Sequence, residues 1–99
     1  MTKDEYIEIH VALCDKAREL SIRKNQDYAS DEDPFRNFRL FGGLGFLVRM
    51  SDKLSRLRTY EERGTLVNET VHDTLLDLIN YVCLYGAFIM EREYRKEKV

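Results

Sequence analysis

The sequence predicts an all-α fold, a small helical bundle built from three main helices in one domain of 99 residues. Apolar residues recur at helical spacing in three long segments, and no run of alternating β-branched residues suggests a strand. The only proline and two of the five glycines lie between the first two segments. They predict a connection at that point rather than a helix interior.

The first helix is expected over about residues 1–24. Thr2-x-x-Glu5 has the spacing of a capping box, in which two side chains satisfy backbone N–H groups at the start of a helix. With no spacing typical of a metal site, Cys14 and Cys83 are expected to be small, buried and reduced. The apolar stripe of this helix comprises Tyr6, Ile9, Leu13, Cys14, Ala17 and Leu20.

Residues 25–43 form an aromatic-rich connection. Its Asp, Asn and Ser residues predict a loop, with a short helical turn around Pro34–Leu40. A loop of this length in so small a domain is usually either functional or disordered. Its aromatic side chains need burial, which favours an ordered, functional segment. They are Tyr28, Phe35, Phe38 and Phe41.

The second and third helices are expected over residues 44–63 and 68–96. A charged edge runs along the second, beside its apolar stripe (Arg49, Asp52, Lys53 and Arg56). Asn68 is the predicted N-cap of the third helix, with Glu69 in its first turn. Because the second half of that helix is apolar on both sides, we expect it to be central in a homo-oligomer.

The charge balance bears on possible partners. The formal net charge is −2, whereas general nucleic-acid binders and membrane-surface binders usually carry a basic excess. No apolar run approaches the roughly 20 residues of a membrane span. The N-terminus also lacks the pattern of a signal peptide. We therefore expect a cytoplasmic protein without a membrane partner or general nucleic-acid binding.

An acidic row follows the start of the third helix. Glu69, Asp73 and Asp77 are spaced by four, which places neighbouring carboxylates one helical turn apart. Like charges in such a row need cations or a metal nearby, and carboxylate oxygens suit Mg²⁺. The alternative is a set of ordinary interhelical ion pairs with basic residues of the second helix, namely Arg49, Lys53 and Arg56.

Basic and aromatic residues suggest a nucleotide site. Arginine binds phosphates through two parallel hydrogen bonds, and lysine binds them as a point charge. The two ends of the connection add amides and aromatic faces, which suit base recognition. The alternative is a capped helix end with an aromatic plug. The candidate ligand-binding residues are Lys24, Asn25, Asp27, Tyr28, Asn37, Phe38, Arg49, Lys53 and Arg56.

Four motifs occur in a recognisable order. They are Lys24-Asn25-x-Asp27-Tyr28, Phe35-x-Asn37-Phe38, Arg49-Met50-x-Asp52-Lys53-x-x-Arg56-Leu57, and Glu69-x-Val71-x-Asp73-Thr74-Leu75-Leu76-Asp77-Leu78-x-Asn80-Tyr81. Over roughly residues 20–86, the chain resembles the phage-associated family called nucleotide modification associated domain 1. This resemblance implies an all-α fold and a phage or prophage origin near genes for modified nucleotides. It also adds Asn80 to the candidate ligand-binding residues.

A more distant similarity is to MazG-type and dimeric dUTPase-type nucleoside triphosphate pyrophosphohydrolases. Those enzymes bind Mg²⁺ through E-x-x-E on one helix and E-x-x-D on the next. Here Thr70 stands where the second motif has Glu, and the preceding helix offers Asp52 but no E-x-x-E. The similarity implies Asp73 and Asp77 as catalytic residues. The implied Mg²⁺ ligands are Asp52, Glu69, Asp73 and Asp77.

The sequence thus favours a phage nucleotide-binding protein, active as an Mg²⁺-dependent pyrophosphohydrolase if the acidic row binds metal. One alternative is a non-catalytic sponge that sequesters a nucleotide or a cyclic-nucleotide immune signal. Another is a helical interaction module in which the charges are structural and no small ligand binds.

Overall fold

The computed structural model describes residues 1–27 and 33–98, except for the side chains of residues 26, 27, 97 and 98. Three helices, α1 (Lys3–Asp27), α2 (Gly43–Arg63) and α3 (Val71–Lys98), are joined by connections that include a 3₁₀ turn at Arg36–Phe38. Both α1 and α2 pack against α3. The described residues contain no strand, and the all-α prediction is confirmed.

Local hydrogen bonds explain where α1 begins and α2 ends. The predicted capping box is present, because the Glu5 N–H donates to Thr2 Oγ1 at 3.1 Å and the Thr2 N–H donates to Glu5 Oε2 at 3.3 Å. At the end of α2, Gly64 adopts a left-handed conformation with φ +79°. Its N–H donates to the Tyr60 carbonyl at 2.6 Å, which satisfies a carbonyl at the helix end.

The predicted N-cap of α3 is wrong. The helix begins at Val71 rather than beside Asn68. Thr70 provides the cap, since its Oγ1 accepts a hydrogen bond from the Asp73 N–H at 3.0 Å. Glu69 lies before the helix, where its side chain pairs with two basic residues of α2. These ion pairs favour a non-helical start over the extra turn that the sequence suggested.

The core is a cluster of aromatic rings at the junction of the 3₁₀ turn, α2 and α3. Phe46 is fully buried, with the Phe38 ring stacked on it at a centroid distance of 4.1 Å and an interplanar angle of 11°. Phe35 approaches Phe46 edge-on at 6.4 Å. We call these three residues the aromatic core. The half-buried residues packed around it are Met50, Tyr81, Leu84, Tyr85 and Phe88.

Burial of the connection is confirmed in part. Phe35 and Phe38 are buried as expected, whereas Phe41 is 67% exposed. Tyr28 lies outside the described residues. Phe41 lies three residues after the last residue of the 3₁₀ turn, and its N–H donates to the Phe38 carbonyl at 3.1 Å. That turn directs the Phe41 ring away from the core that Phe38 enters.

The apolar stripe of α1 is mostly uncovered. Ala17 is buried, but Tyr6 and Ile9 are exposed, as is every residue from Met1 to Ala12. Both cysteines are also exposed, so the prediction that they are buried is wrong. The reason is that helical periodicity identifies an apolar face but not the length of the helix that covers it.

One helix in the described part of the chain, Val71–Lys96, is long and apolar enough to cross a membrane by length and composition alone. A mostly buried core helix of a water-soluble protein passes the same test; this helix packs against both α1 and α2, but only 6% of its apolar stretch is buried. The expectation of no membrane partner therefore stays a prediction.

Replacing Phe46 with alanine tests the aromatic core. We expect Phe46→Ala to lower the free energy of unfolding by about 3–5 kcal/mol, because it removes a fully buried ring and leaves a cavity. Phe41→Ala is the matched control and should change stability by less than about 0.5 kcal/mol. Urea denaturation followed by circular dichroism measures both. Equal losses from the two variants would contradict this description of the core.

Candidate functional site

A pocket of about 260 Å³ lies where the C-terminal part of α1 meets the 3₁₀ turn, α2 and α3. We call it the α1–α3 pocket. Its lining combines amides, charged groups and apolar surface. The lining residues are Ser21, Lys24, Asn25, Pro34, Asn37, Phe38, Arg49, Asp77, Asn80, Tyr81 and Leu84.

The pocket joins residues that lie far apart in sequence. Each of the four ordered motifs contributes at least one lining residue. The predicted site residues that the structure brings together here are Lys24, Asn25, Asn37, Phe38, Arg49, Asp77 and Asn80. Four predicted ligand-binding residues are not among the lining residues. Lys53 and Arg56 lie elsewhere, and Tyr28 and the side chain of Asp27 lie outside the described residues.

The sequence analysis missed four lining residues: Ser21, Pro34, Tyr81 and Leu84. Helical spacing contained the signal for three of them. Ser21 precedes Lys24 by three residues, and Tyr81 and Leu84 follow Asp77 by four and seven, so each shares a helix face with a predicted residue. Extending the first and fourth motifs by one turn would have found Ser21 and Leu84, whereas Tyr81 already ends the fourth motif.

Two polar groups of the pocket have unused hydrogen-bonding capacity. The Asn80 Nδ2 atom is buried and has no hydrogen-bond partner within the described part of the chain. A buried donor left unpaired costs about 1–3 kcal/mol. Arg49 is exposed and forms no ion pair with any described residue. The Arg49 guanidinium is thus available to an incoming anion, and Asn80 adds an unsatisfied amide to the same lining.

Phe38 serves the core as well as the pocket. One face of its ring is covered by Phe46, and Tyr81 lies edge-on to it at a centroid distance of 6.3 Å. A planar ligand in the pocket would therefore contact the edge of the aromatic core. Tyr81, which is half-buried and lines the pocket, supplies a second aromatic surface next to Asn80.

The acidic residues of the site are engaged by basic side chains. Asp77 accepts from the Lys24 ammonium at 3.1 Å and pairs with the Lys53 ammonium at 2.8 Å. Lys53 is 9% exposed and also contacts Glu69 at 3.2 Å. Arg56 pairs with Glu69 and, at 3.4 Å, with Asp52. The ion pairs weighed as an alternative are therefore present in part: Lys53 and Arg56 pair with Glu69 and Asp77, and Lys24 is an added partner. Arg49 and Asp73 form no ion pair with any described residue.

The pKa values of Lys53 and Asp77 reflect two opposing effects, burial and ion pairing. Burial disfavours the charge of Lys53, but hydrogen bonds from its ammonium to Asp77 and Glu69 outweigh that effect and raise its pKa. Burial likewise disfavours the Asp77 carboxylate, while hydrogen bonds from Lys53 and Lys24 prevail and lower its pKa. Both partners therefore stay charged at neutral pH.

The carboxylates present do not fit a Mg²⁺ site. Asp77 and Glu69 each contact two cationic side chains, whereas Mg²⁺ needs carboxylate oxygens free to enter an octahedral shell. Asp73 is exposed and does not line the α1–α3 pocket. No three acidic, histidine or cysteine side chains among the described residues are grouped so that they could hold a metal ion.

Comparison with protein-family models, with curated proteins and with solved structures found no match for this chain.

The buried ammonium of Lys53 should be important for stability. Lys53→Met keeps the length of the side chain but leaves Asp77 and Glu69 with fewer cationic partners. Breaking a buried ion pair costs about 3–5 kcal/mol, and we expect a loss of about 3 kcal/mol because Lys24 and Arg56 remain. Arg18→Met is the control. The side chains of the Arg18–Asp15 pair are 70% and 49% exposed, so its loss should cost about 1 kcal/mol or less.

Both variants are to be compared by urea denaturation at neutral pH. If Lys53→Met were no more destabilising than Arg18→Met, the ion-pair network would not have the role assigned to it.

The lowered pKa of Asp77 predicts a pH dependence. Its charge stabilises the fold fully above the unfolded-state pKa of about 3.9, and this stabilisation is lost as the pH falls through the lower folded-state pKa. The unfolding free-energy difference between the wild type and Asp77→Asn should be constant between about pH 6 and 8 and shrink below about pH 4. Urea denaturation across this range measures it, and a difference that grows on acidification would contradict the sign.

Proposed function

We propose that this chain binds a nucleotide in the α1–α3 pocket. The observation that carries the proposal is the convergence in one pocket of residues from all four ordered motifs. A helical interaction module would need no such concave site. It would also not need one pocket lining to contain both a buried amide donor and an arginine that are unpaired within the described part of the chain.

The chemistry of the lining supports a ligand with both an anionic group and a polar, planar group. Arg49 supplies a guanidinium that can bind a phosphate through two hydrogen bonds. The amides of Asn25, Asn37 and Asn80 offer donors and acceptors for the edge of a base. Tyr81 and the rim of Phe38 supply the aromatic surface.

Pocket size limits the ligand. Pockets for drug-sized molecules typically measure about 300–1,000 Å³, and this one measures about 260 Å³. It therefore suits one nucleotide, or a single nucleotide unit of a larger ligand such as a cyclic oligonucleotide. The phosphates beyond that unit would lie outside the pocket.

Binding without hydrolysis is the form of the proposal that the ion pairs favour. Two of the carboxylates that resemble those of pyrophosphohydrolases, Glu69 and Asp77, are paired with lysine and arginine, so they join the helices rather than present free oxygens to a metal. The third, Asp73, is exposed and lies away from the pocket lining. Such a protein would sequester its nucleotide. The resemblance to nucleotide modification associated domain 1 adds the proposal that the chain is encoded by a phage and acts in the host cytoplasm.

A ligand panel tests the proposal. Isothermal titration with nucleoside mono-, di- and triphosphates and with cyclic nucleotides, each with Mg²⁺ and with EDTA, should reveal binding that does not require Mg²⁺. Chromatography of the recovered ligand should show it intact. Pyrophosphate release that requires Mg²⁺ would replace the sequestration proposal with an enzymatic one. If no ligand of the panel binds, the helical interaction module becomes the better explanation of this chain.

Arg49→Gln should weaken the tightest ligand of that panel by about tenfold or more, because a hydrogen bond to a charged group contributes about 1.5–3 kcal/mol. Arg58→Gln is the matched control on the same helix. Nine residues separate the two positions, so at about 100° per residue they lie on opposite faces of α2. Equal losses of affinity would contradict the placement of the phosphate at Arg49.

A further inference from the structure

A second pocket adjoins the α1–α3 pocket. It measures about 320 Å³, and Asn37, Phe38 and Arg49 line both pockets. We call it the apolar pocket, because its remaining lining residues carry no polar side chain. They come from the end of the connection and the first two turns of α2, and they are Phe41, Leu44, Gly45 and Val48.

The apolar pocket is lined by side chains that are open to water. Phe41 is 67% exposed, Leu44 is 70% exposed and Val48 is 67% exposed. Single exposed apolar residues are ordinary on a protein surface. Here three of them line one concave site together with an arginine and an amide. An apolar lining with a few polar groups is the composition of a small-molecule site.

Arg49 connects the two pockets. Of the described residues, it alone is charged and lines both of them. Its side chain is exposed and forms no ion pair within the described part of the chain. An anionic group bound by the guanidinium can therefore direct one substituent into each pocket.

We propose that the ligand is a dinucleotide, with its phosphodiester at Arg49 and one base in each pocket. The inference rests on the nucleotide proposal and narrows its ligand class. A phosphodiester has one negative charge and two substituents, which matches one unpaired arginine between two pockets. The α1–α3 pocket suits one nucleotide unit, and the apolar pocket then takes the next unit.

The two linings favour different bases. Asn25 and Asn80 line only the α1–α3 pocket, where their amides provide donors and acceptors for a base with a polar edge. The apolar pocket offers the exposed ring of Phe41, on which a base can stack. Leu44 and Val48 add aliphatic surface. Because thymine carries an apolar methyl group on its ring, we place thymine in the apolar pocket.

Calorimetry with charge-matched ligands tests this inference. The dinucleotides d(ApT), d(CpT), d(GpT) and d(TpT) are each compared with the 3′-methyl phosphate of the first nucleoside, which has the same single charge but no second base. The best dinucleotide should bind about tenfold more tightly than its methyl ester, or better, because the second base stacks on an aromatic ring. Uracil in place of thymine should weaken it about threefold, since one buried methyl group is lost.

Phe41→Ala separates the two pockets. It should weaken the best dinucleotide about tenfold and leave the methyl ester unchanged, because Phe41 lines only the apolar pocket. Since Phe41 is exposed, the variant keeps its fold. Tyr6→Ala is the matched control and should change neither affinity, because Tyr6 is 56% exposed in α1 and lines neither pocket. Arg49→Gln should weaken both ligands.

The outcomes distinguish this inference from the nucleotide proposal. If the methyl esters bind and Arg49→Gln weakens them, but no dinucleotide binds more tightly, the dinucleotide inference is wrong and the nucleotide proposal stands. A dinucleotide whose affinity Phe41→Ala leaves intact would also overturn the inference, because its second base would then lie elsewhere. Equal affinity for uracil and thymine would overturn the assignment of the base. If neither these ligands nor the nucleotide panel binds, both proposals are wrong.

Discussion

The Phe38 ring of the 3₁₀ turn stacks on the Phe46 ring of α2. The centroid of the Phe88 ring of α3 lies 5.2 Å from that of Phe46. The candidate site depends on this contact. Burial of the stacked rings holds the 3₁₀ turn against α2 and α3, and the turn carries Asn37 to the pocket. Gly45 permits the approach, since a Cβ there would lie 3.3 Å from Phe38 Cδ1. A few aromatic contacts thus position the 3₁₀ turn and Asn37, whereas a larger domain would use many contacts for this.

The ion pairs position the other walls of the pocket. Asp77 ties α3 to α1 through Lys24 and to α2 through Lys53, so one carboxylate sets the spacing of all three helices. Because Lys53 is almost fully buried, its charge is tolerated only while both of its carboxylate partners remain. Two members of the acidic row, Glu69 and Asp77, thus join helices through ion pairs, and Asp77 also lines the pocket.

Local patterns in the sequence predicted local structure well. The capping box at Thr2, the short turn near Pro34 and the end of α2 follow from residues a few positions apart, and the structure has all three. Most of the pocket followed from the ordered motifs. The exposure of Phe41 and Tyr6 could not be predicted in the same way. Periodicity identifies an apolar face, but it does not say which helix covers that face. The role of the acidic row depended on the position of Lys53, which only the packing of α2 on α3 determines.

The two opposite sides of α3 have different surroundings. Asp77 and Gly86 are nine residues apart, which at about 100° per residue places them on opposite sides of the helix. One side of α3 therefore faces the pocket and the ion pairs, while the side that carries Val82, Gly86 and Met90 is exposed. This arrangement accounts for a helix that is apolar on both sides in a chain with few buried apolar residues. Of the described apolar side chains, only Ala17, Phe35, Phe38 and Phe46 are buried. A core of this size leaves a domain only marginally stable, so the ion pairs that join α1, α2 and α3 matter the more for the shape of the pocket.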